Sequence, residues 1–481
     1  MNDTPENNNA PQTDAPQSEA SKPRKPGLFQ RLFSMGPNGD DLTIAIAPFV
    51  DAAEQDHARE IAAAFQNLDG VRVRTLKETP ILNPDSARAE HLPAACAQAM
   101  GWISKHHADL VLWGDIPPPG TTLYIHFAAA PPVDADPAGT ISPFQALTLP
   151  VDFDTELFGG LLRATALAAM NVKGDAKTHK RRALVADALE QAAQDVERIP
   201  RDFTMREQAS VHAAFANALA TFGHLFPGGE VYHRAALAYG QAIKGTLRGE
   251  SPTNWAYLQR NLGTILQALG ERTDDVDTLA QAVVAYRAAL EVFTLENTPF
   301  PWATTNNRLG EVLNRLDSKS GETAGLKEAL NVYQGALKVL NRQSTPLLWA
   351  ETMNNLGQTA QVLGREIGNK DVIERAVAAC QQALKVRTLE EHPTLWASTQ
   401  NNMGSALFLL GRMTSDDSYF QQALDAFMGA REVYESLGLA RMVEVTDKNI
   451  QHAQSRLPGG EGEAGDKDPA MWWLEGEDEG K

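Results

Sequence analysis

The sequence predicts an α+β multidomain chain: a small α/β sheet domain followed by an all-α helical solenoid. Three observations carry that expectation. Trp255, Trp302, Trp349 and Trp396 recur every 47 residues, each with a proline three residues before it and a glycine eight residues after it. A fixed period of this size marks stacked supersecondary units. Residues 42–153 instead alternate short β-type runs with helical spacing, the pattern of a sheet with helical crossovers. Both ends of the chain are too polar to bury a core.

Composition narrows the function classes. The chain has 481 residues and a net charge of −18, which argues against a general nucleic-acid binder, since phosphate contacts need a basic face. Two cysteines, Cys96 and Cys380, make neither a disulfide framework nor a metal-ligand cluster. No apolar run reaches the ~20 residues that span a bilayer. The polar N-terminus lacks the pattern of a secretory signal, so the expected location is cytoplasmic.

Residues 1–41 read as a disordered segment with one island, KPRKPGLFQRLF, from Lys22 to Phe33. It reads either as an amphipathic stretch with weak contact to an acidic membrane surface or a partner groove, or as a linker docking on the next domain. In residues 42–153, LTIAIAPF, VRVRTL, DLVLWGDI, TTLYIHFAA and ALTLPVDF have strand character. Residues 54–68 and 87–107 have helical spacing, with Pro93 early in the second helix. Residues 130–142 are rich in Pro, Ala and Asp and read as a loop. Helical patterns over 155–170 and 180–199 predict a hairpin, within residues 154–207, that caps the stack.

The runs IAIAPF, HAREIAAAFQNLDGVRVRTL and ADLVLWGDIPPPGTTLYIHF resemble the TolB-like α/β domain, often found beside tetratricopeptide repeats in bacterial regulatory proteins. The resemblance implies an accessory or sensory module and supplies no catalytic residues. No phosphate-binding turn is visible either. The first strand-to-helix turn, PFVDAAEQD, has three carboxylates and no glycine. His106 and His107 suit the negative end of a helix, without a ligand set for a metal. Cys96 reads as a small core residue. We therefore expect a protein that is not an enzyme and needs no cofactor.

From residue 208 to 457 the 47-residue ruler describes five units and a closing helix. In each unit helix A is expected to start at the proline, with Ser251, Thr298 and Thr345 as side-chain caps. It is expected to close at Gly270, Gly364 and Gly411, with Asp317 in that place in one unit. Gly263, Gly310, Gly357 and Gly404 sit where helix B should approach. Helix B carries paired alanines around Tyr286, Tyr333, Cys380 or Phe427. One period earlier, Phe215, Phe222 and Tyr239 keep register without the Trp. One period later, Asn449 does, in a last helix over about 440–457. The Leu-Gly and Ala/Tyr/Ala slots resemble the tetratricopeptide repeat, with a period of 47 where the family has 34.

Positions five and six after each Trp turn away from the core seam and read Arg260-Asn261, Asn307-Arg308, Asn354-Asn355 and Asn401-Asn402. Amides both donate and accept, and can pair with the backbone of an extended peptide, while arginine takes a carboxylate. These NNLG-type helices resemble kinesin-light-chain repeats, which implies a groove for a protein or peptide segment. The alternative is that the asparagines bond to the next helix and set repeat geometry. Residues 458–481 read as a disordered acidic tail containing Trp472 and Trp473. The pair reads as a linear motif for a partner, as an occupant of the groove of this chain or a second copy (self-association), or as a chance pair.

Overall fold

The computed structural model describes residues 41–50, 56–66, 68–81, 88–130, 134–142 and 145–458. The island from Lys22 to Phe33 and the Trp472–Trp473 pair lie outside these residues. The described chain is α+β: a five-stranded mixed sheet followed by helices packed in sequence.

The sheet has the order β2-β1-β3-β4-β5, from β1 (Leu42–Ile46), β2 (Val71–Thr75), β3 (Leu110–Asp115), β4 (Thr122–Ala128) and β5 (Ala146–Pro150). The first three are parallel, joined through α1 (His57–Ala63) and α2 (Arg88–His106), and β4 and β5 add antiparallel. β1 and β3 are buried along their whole length, as expected for parallel strands covered on both faces. Pro93 lies within α2. His106 pairs with Glu78 at 3.2 Å, where Lys105 also binds the same carboxylate.

The predicted hairpin forms as α3 (Thr155–Ala169) and α4 (Asp175–Glu197), the second beginning five residues earlier than its periodicity suggested. Lys177 holds both oxygens of Asp109 at 2.8 and 2.7 Å, and Asp109 accepts the Thr43 N–H, tying α4 to β1. α5 (Met205–Phe222) then lies along the edge strand. The Ser210 hydroxyl accepts the Thr148 N–H at 3.0 Å and reaches the Thr148 carbonyl at the same distance. A helix thereby covers an edge that would otherwise be open to pairing. One hydrophobic core runs from Leu42 in β1 through Phe158 and Val185 to Leu258 and Ile265. The sheet and the first helical units therefore share an interior.

The units follow as α5 with α6 (Glu230–Gly245), α7 (Pro252–Thr273) with α8 (Val276–Leu290), and α9 (Pro299–Ser320) with α10 (Ala324–Ala336). Then come α11 (Pro346–Glu366) with α12 (Lys370–Ala383), α13 (Pro393–Thr414) with α14 (Asp417–Ser436), and the closing α15 (Ala440–Gln454). The glycines eight residues past each Trp do what their spacing implied. A Cβ on Gly263 would stand 2.8 Å from the Tyr286 ring, and one on Gly310 2.6 Å from Tyr333.

Three local expectations change. Ser251, Thr298 and Thr345 precede proline-initiated helices, but none caps its helix through its side chain. Thr298 and Thr345 turn back and accept the N–H groups of Thr294 and Asn341, both at 3.0 Å, bracing the preceding turn. Gly270, Gly364 and Gly411 do not end their helices. α7 and α13 run on to left-handed residues at Asp274 and Ser415. The glycines are needed for close approach: a Cβ on Gly364 would stand 2.5 Å from Ile373. Asp317, in the same slot, accepts the Gly325 N–H at 2.6 Å and so fastens the start of α10. The tryptophans are half-buried rather than core. Trp302 lies over Gly335, Trp396 over Gly429, and the Arg248 guanidinium covers Trp255.

Candidate functional site

The fifth and sixth positions after each Trp lie on α7, α9, α11 and α13. The structure divides the eight sequence-selected residues into three groups. Asn354, Asn401 and Asn402 bond from helix to helix: Asn402 donates to Asn354 at 3.0 Å, and Asn449 of α15 donates to Asn401 at 3.2 Å. All are buried.

Asn307 and Asn355 converge on Glu311 of α9. Their amides donate to its Oε1 at 3.1 and 2.8 Å, and Gln267 donates to Oε2 at 3.1 Å. Burial, reinforced by Glu351 nearby and opposed by Arg308, pushes the Glu311 carboxyl up to about 8.

Arg260, Asn261 and Arg308 hold something that periodicity did not foresee. Residues 134–142, between β4 and β5 in the chain, lie against the stack. Asp136 forms ion pairs with Arg260 and Arg308. Arg308 also donates to the Asp136 carbonyl at 2.8 Å. Asp134 accepts the Leu347 and Leu348 N–H groups at the start of α11, the second at 2.9 Å. That carboxylate supplies the cap that Thr345 does not, at the positive end of the helix dipole. Asn261 donates to the Thr140 carbonyl at 2.9 Å.

Burial alternates along this segment. Asp134, Asp136 and Ala138 are partly buried, while Ala135 and Pro137 are exposed; Asp134 itself is left-handed, with φ +54°. Residues 134–140 thus form a strap that crosses α11, α9, α7 and α5 in turn. At its far end Gly139 has φ +72°, and a Cβ there would stand 2.4 Å from the Asn217 carbonyl of α5. Arg260 is buried beneath the strap; burial and Arg308 lower it to about 10, so it remains cationic at neutral pH.

Beside the strap a cavity of about 490 Å³ stays open. Arg308, Glu311, Asn355 and Gln358 line it, with Tyr232 of α6 and Arg441 of α15 on its walls. A second cavity of about 780 Å³ lies at the junction of the sheet and the stack, between β5, α5 and the start of α7.

The fourth unit, α11 with α12, departs from its neighbours. Cys380 replaces the aromatic residue, and burial pushes its thiol up to about 12. In the second unit, Tyr286 donates to Gln267 at 2.8 Å. Gln361, in the same slot of the fourth, is buried with neither end of its amide bonded.

No group of three or more His, Cys, Asp or Glu among the described residues could hold a metal ion, and no helix among them is long and apolar enough to cross a membrane. No family model matches the chain, and no curated protein matches it.

Proposed function

We propose that this is a non-catalytic interaction scaffold of the cytoplasm, whose solenoid, of the tetratricopeptide type, binds an extended segment of a partner protein on its inner face. The observation that carries this reading is the strap. A stretch of chain lies across successive helices, held by Arg260, Asn261 and Arg308 through carboxylates and carbonyls. Those groups recognise backbone and acidic side chains without demanding a particular sequence. The open cavity beside it, lined by Asn355 and Gln358, extends the same polar face.

The test compares the intact chain with an Asn355→Ala/Gln358→Ala variant in pulldowns from the native cell extract. Neither residue touches the strap. The reading expects specific partners to be retained by the intact chain and lost from the folded variant. Identical retention by both would count against it.

A second reading has one observation in its favour. The strap is the β4–β5 connection, and the larger cavity adjoins β5. A TolB-like sheet domain that took up a small ligand or nucleotide there would be mechanically joined to the groove. Calorimetric titration with nucleotides, followed by the pulldown in their presence, separates this regulatory reading from a plain scaffold.

A further inference from the structure

We infer that the groove selects an acidic segment bearing two carboxylates two residues apart, and that such a segment binds by displacing the chain's own strap. This rests on the peptide-groove reading and names the partner chemistry for the same site.

The strap shows what the groove accepts. Asp134, left-handed at φ +54°, and Asp136, two residues on, both turn their carboxylates to the stack. One carboxylate meets the free N–H groups of the first turn of α11, and the other meets the two guanidinium groups of Arg260 and Arg308. The next inward position is Ala138, where a small side chain lies against the core. Glycine follows, because α5 leaves no room for a Cβ. The site thus reads carboxylate, carboxylate, small residue, glycine. Two arginines and the positive end of α11 thus face the strap's two carboxylates, in a chain of net charge −18.

The strap is also held by exchangeable means. Its anchors are ion pairs and hydrogen bonds, and its outward residues, Ala135 and Pro137, are exposed. A segment with the same carboxylate spacing can replace each bond in kind. The strap lies in the chain between β4 and β5, so its displacement is a local detachment.

Gly139→Ala tests this without altering any charged group in the groove. The added Cβ meets the Asn217 carbonyl and loosens the strap. The probe is a fluorescent peptide with the sequence of residues 134–142, and its control has both aspartates changed to asparagine. The expected result is that the Gly139→Ala chain binds the probe about tenfold more tightly than the intact chain, that the control peptide loses this binding, and that salt weakens it. Equal binding by both chains, or by both peptides, overturns the inference. Should Gly139→Ala fail to fold, hydrogen exchange on the intact chain decides. Saturating probe should speed exchange of the amides of residues 134–142, and unchanged exchange is the negative result. The two readings fail separately. If Asn355→Ala/Gln358→Ala loses native partners while the acidic probe does not bind, the groove reading stands and the acidic exchange falls. If the probe binds but no partner is lost, the reverse holds.

Discussion

Arg308 reaches Asp136 across 172 residues of chain, donating to its carbonyl at 2.8 Å and facing its carboxylate at 3.3 Å. On the other side the same carboxylate neutralises Arg260, whose side chain is 3% exposed. This joins the sheet domain to the inner face of the solenoid. Removing one partner of a buried pair leaves the other charge without compensation. Asp136→Ala is therefore expected to cost about 3 kcal/mol of stability. Asp134→Ala, which removes only a cap from α11, should cost about 1 kcal/mol. Urea unfolding of the two single variants measures the difference, and equal costs would count against a buried pair at Asp136.

Glu311 predicts a pH dependence. Its carboxyl is raised from the ordinary 4.5 to about 8 because it is buried near Glu351. Between those values the folded protein keeps a proton that the unfolded chain has released. The stability linked to this group is complete at low pH and is lost as pH rises through the window from 4.5 to about 8. Glu311→Gln should remove that slope, so the variant gains on the parent as pH rises. Unfolding midpoints of both chains from about pH 5 to about pH 9 measure it.

The seam glycines predict a graded response. Gly310→Ala drives a methyl into Tyr333, with 2.6 Å between the added carbon and the ring. It should cost about 1–3 kcal/mol as an overpacked core. Gly240 of α6 has nothing within 4 Å of its Cβ position. Gly240→Ala should stabilise by up to about 1 kcal/mol through helix propensity alone. Opposite signs in thermal unfolding are the expected outcome.

Gln361 predicts a gain from losing a polar group. Its amide is buried with neither end bonded, and the corresponding residue of the fifth unit is Phe408. Gln361→Met keeps the volume and removes the desolvated amide, so it should raise stability by about 1 kcal/mol. A drop in the unfolding midpoint would show that the amide is serving a partner.

Much of this architecture was legible in the residues. Register alone located five units and the closing helix, because each slot repeats the same neighbours: Gly263 under Tyr286, Gly310 under Tyr333, Gly404 under Phe427. Helix ends were less legible. Gly270 and Gly364 carry the composition of a C-terminal stop, yet they serve the approach of the next helix, and local sequence does not distinguish the two uses. The asparagine positions were found by periodicity, but not their division of labour. Asn354 and Asn402 are chemically alike to Asn307 and Asn355, and only the neighbouring helix decides which amide meets an amide and which meets Glu311.

The sequence by itself determined the sheet-then-solenoid order, the phase of the repeat and the inward-facing polar positions, since hydrophobic period and close-packing glycines act over a few turns of chain. Tertiary structure decided what those positions hold. The segment around Asp134 and Asp136 reads as an ordinary Pro- and Ala-rich loop, and nothing within it points to Arg260 or Arg308 more than a hundred residues away. Charge pairing of that kind has no period and no local signature. It exists only once the edge of the sheet is fixed on α5 and α7, α9 and the start of α11 are packed side by side under one segment of chain.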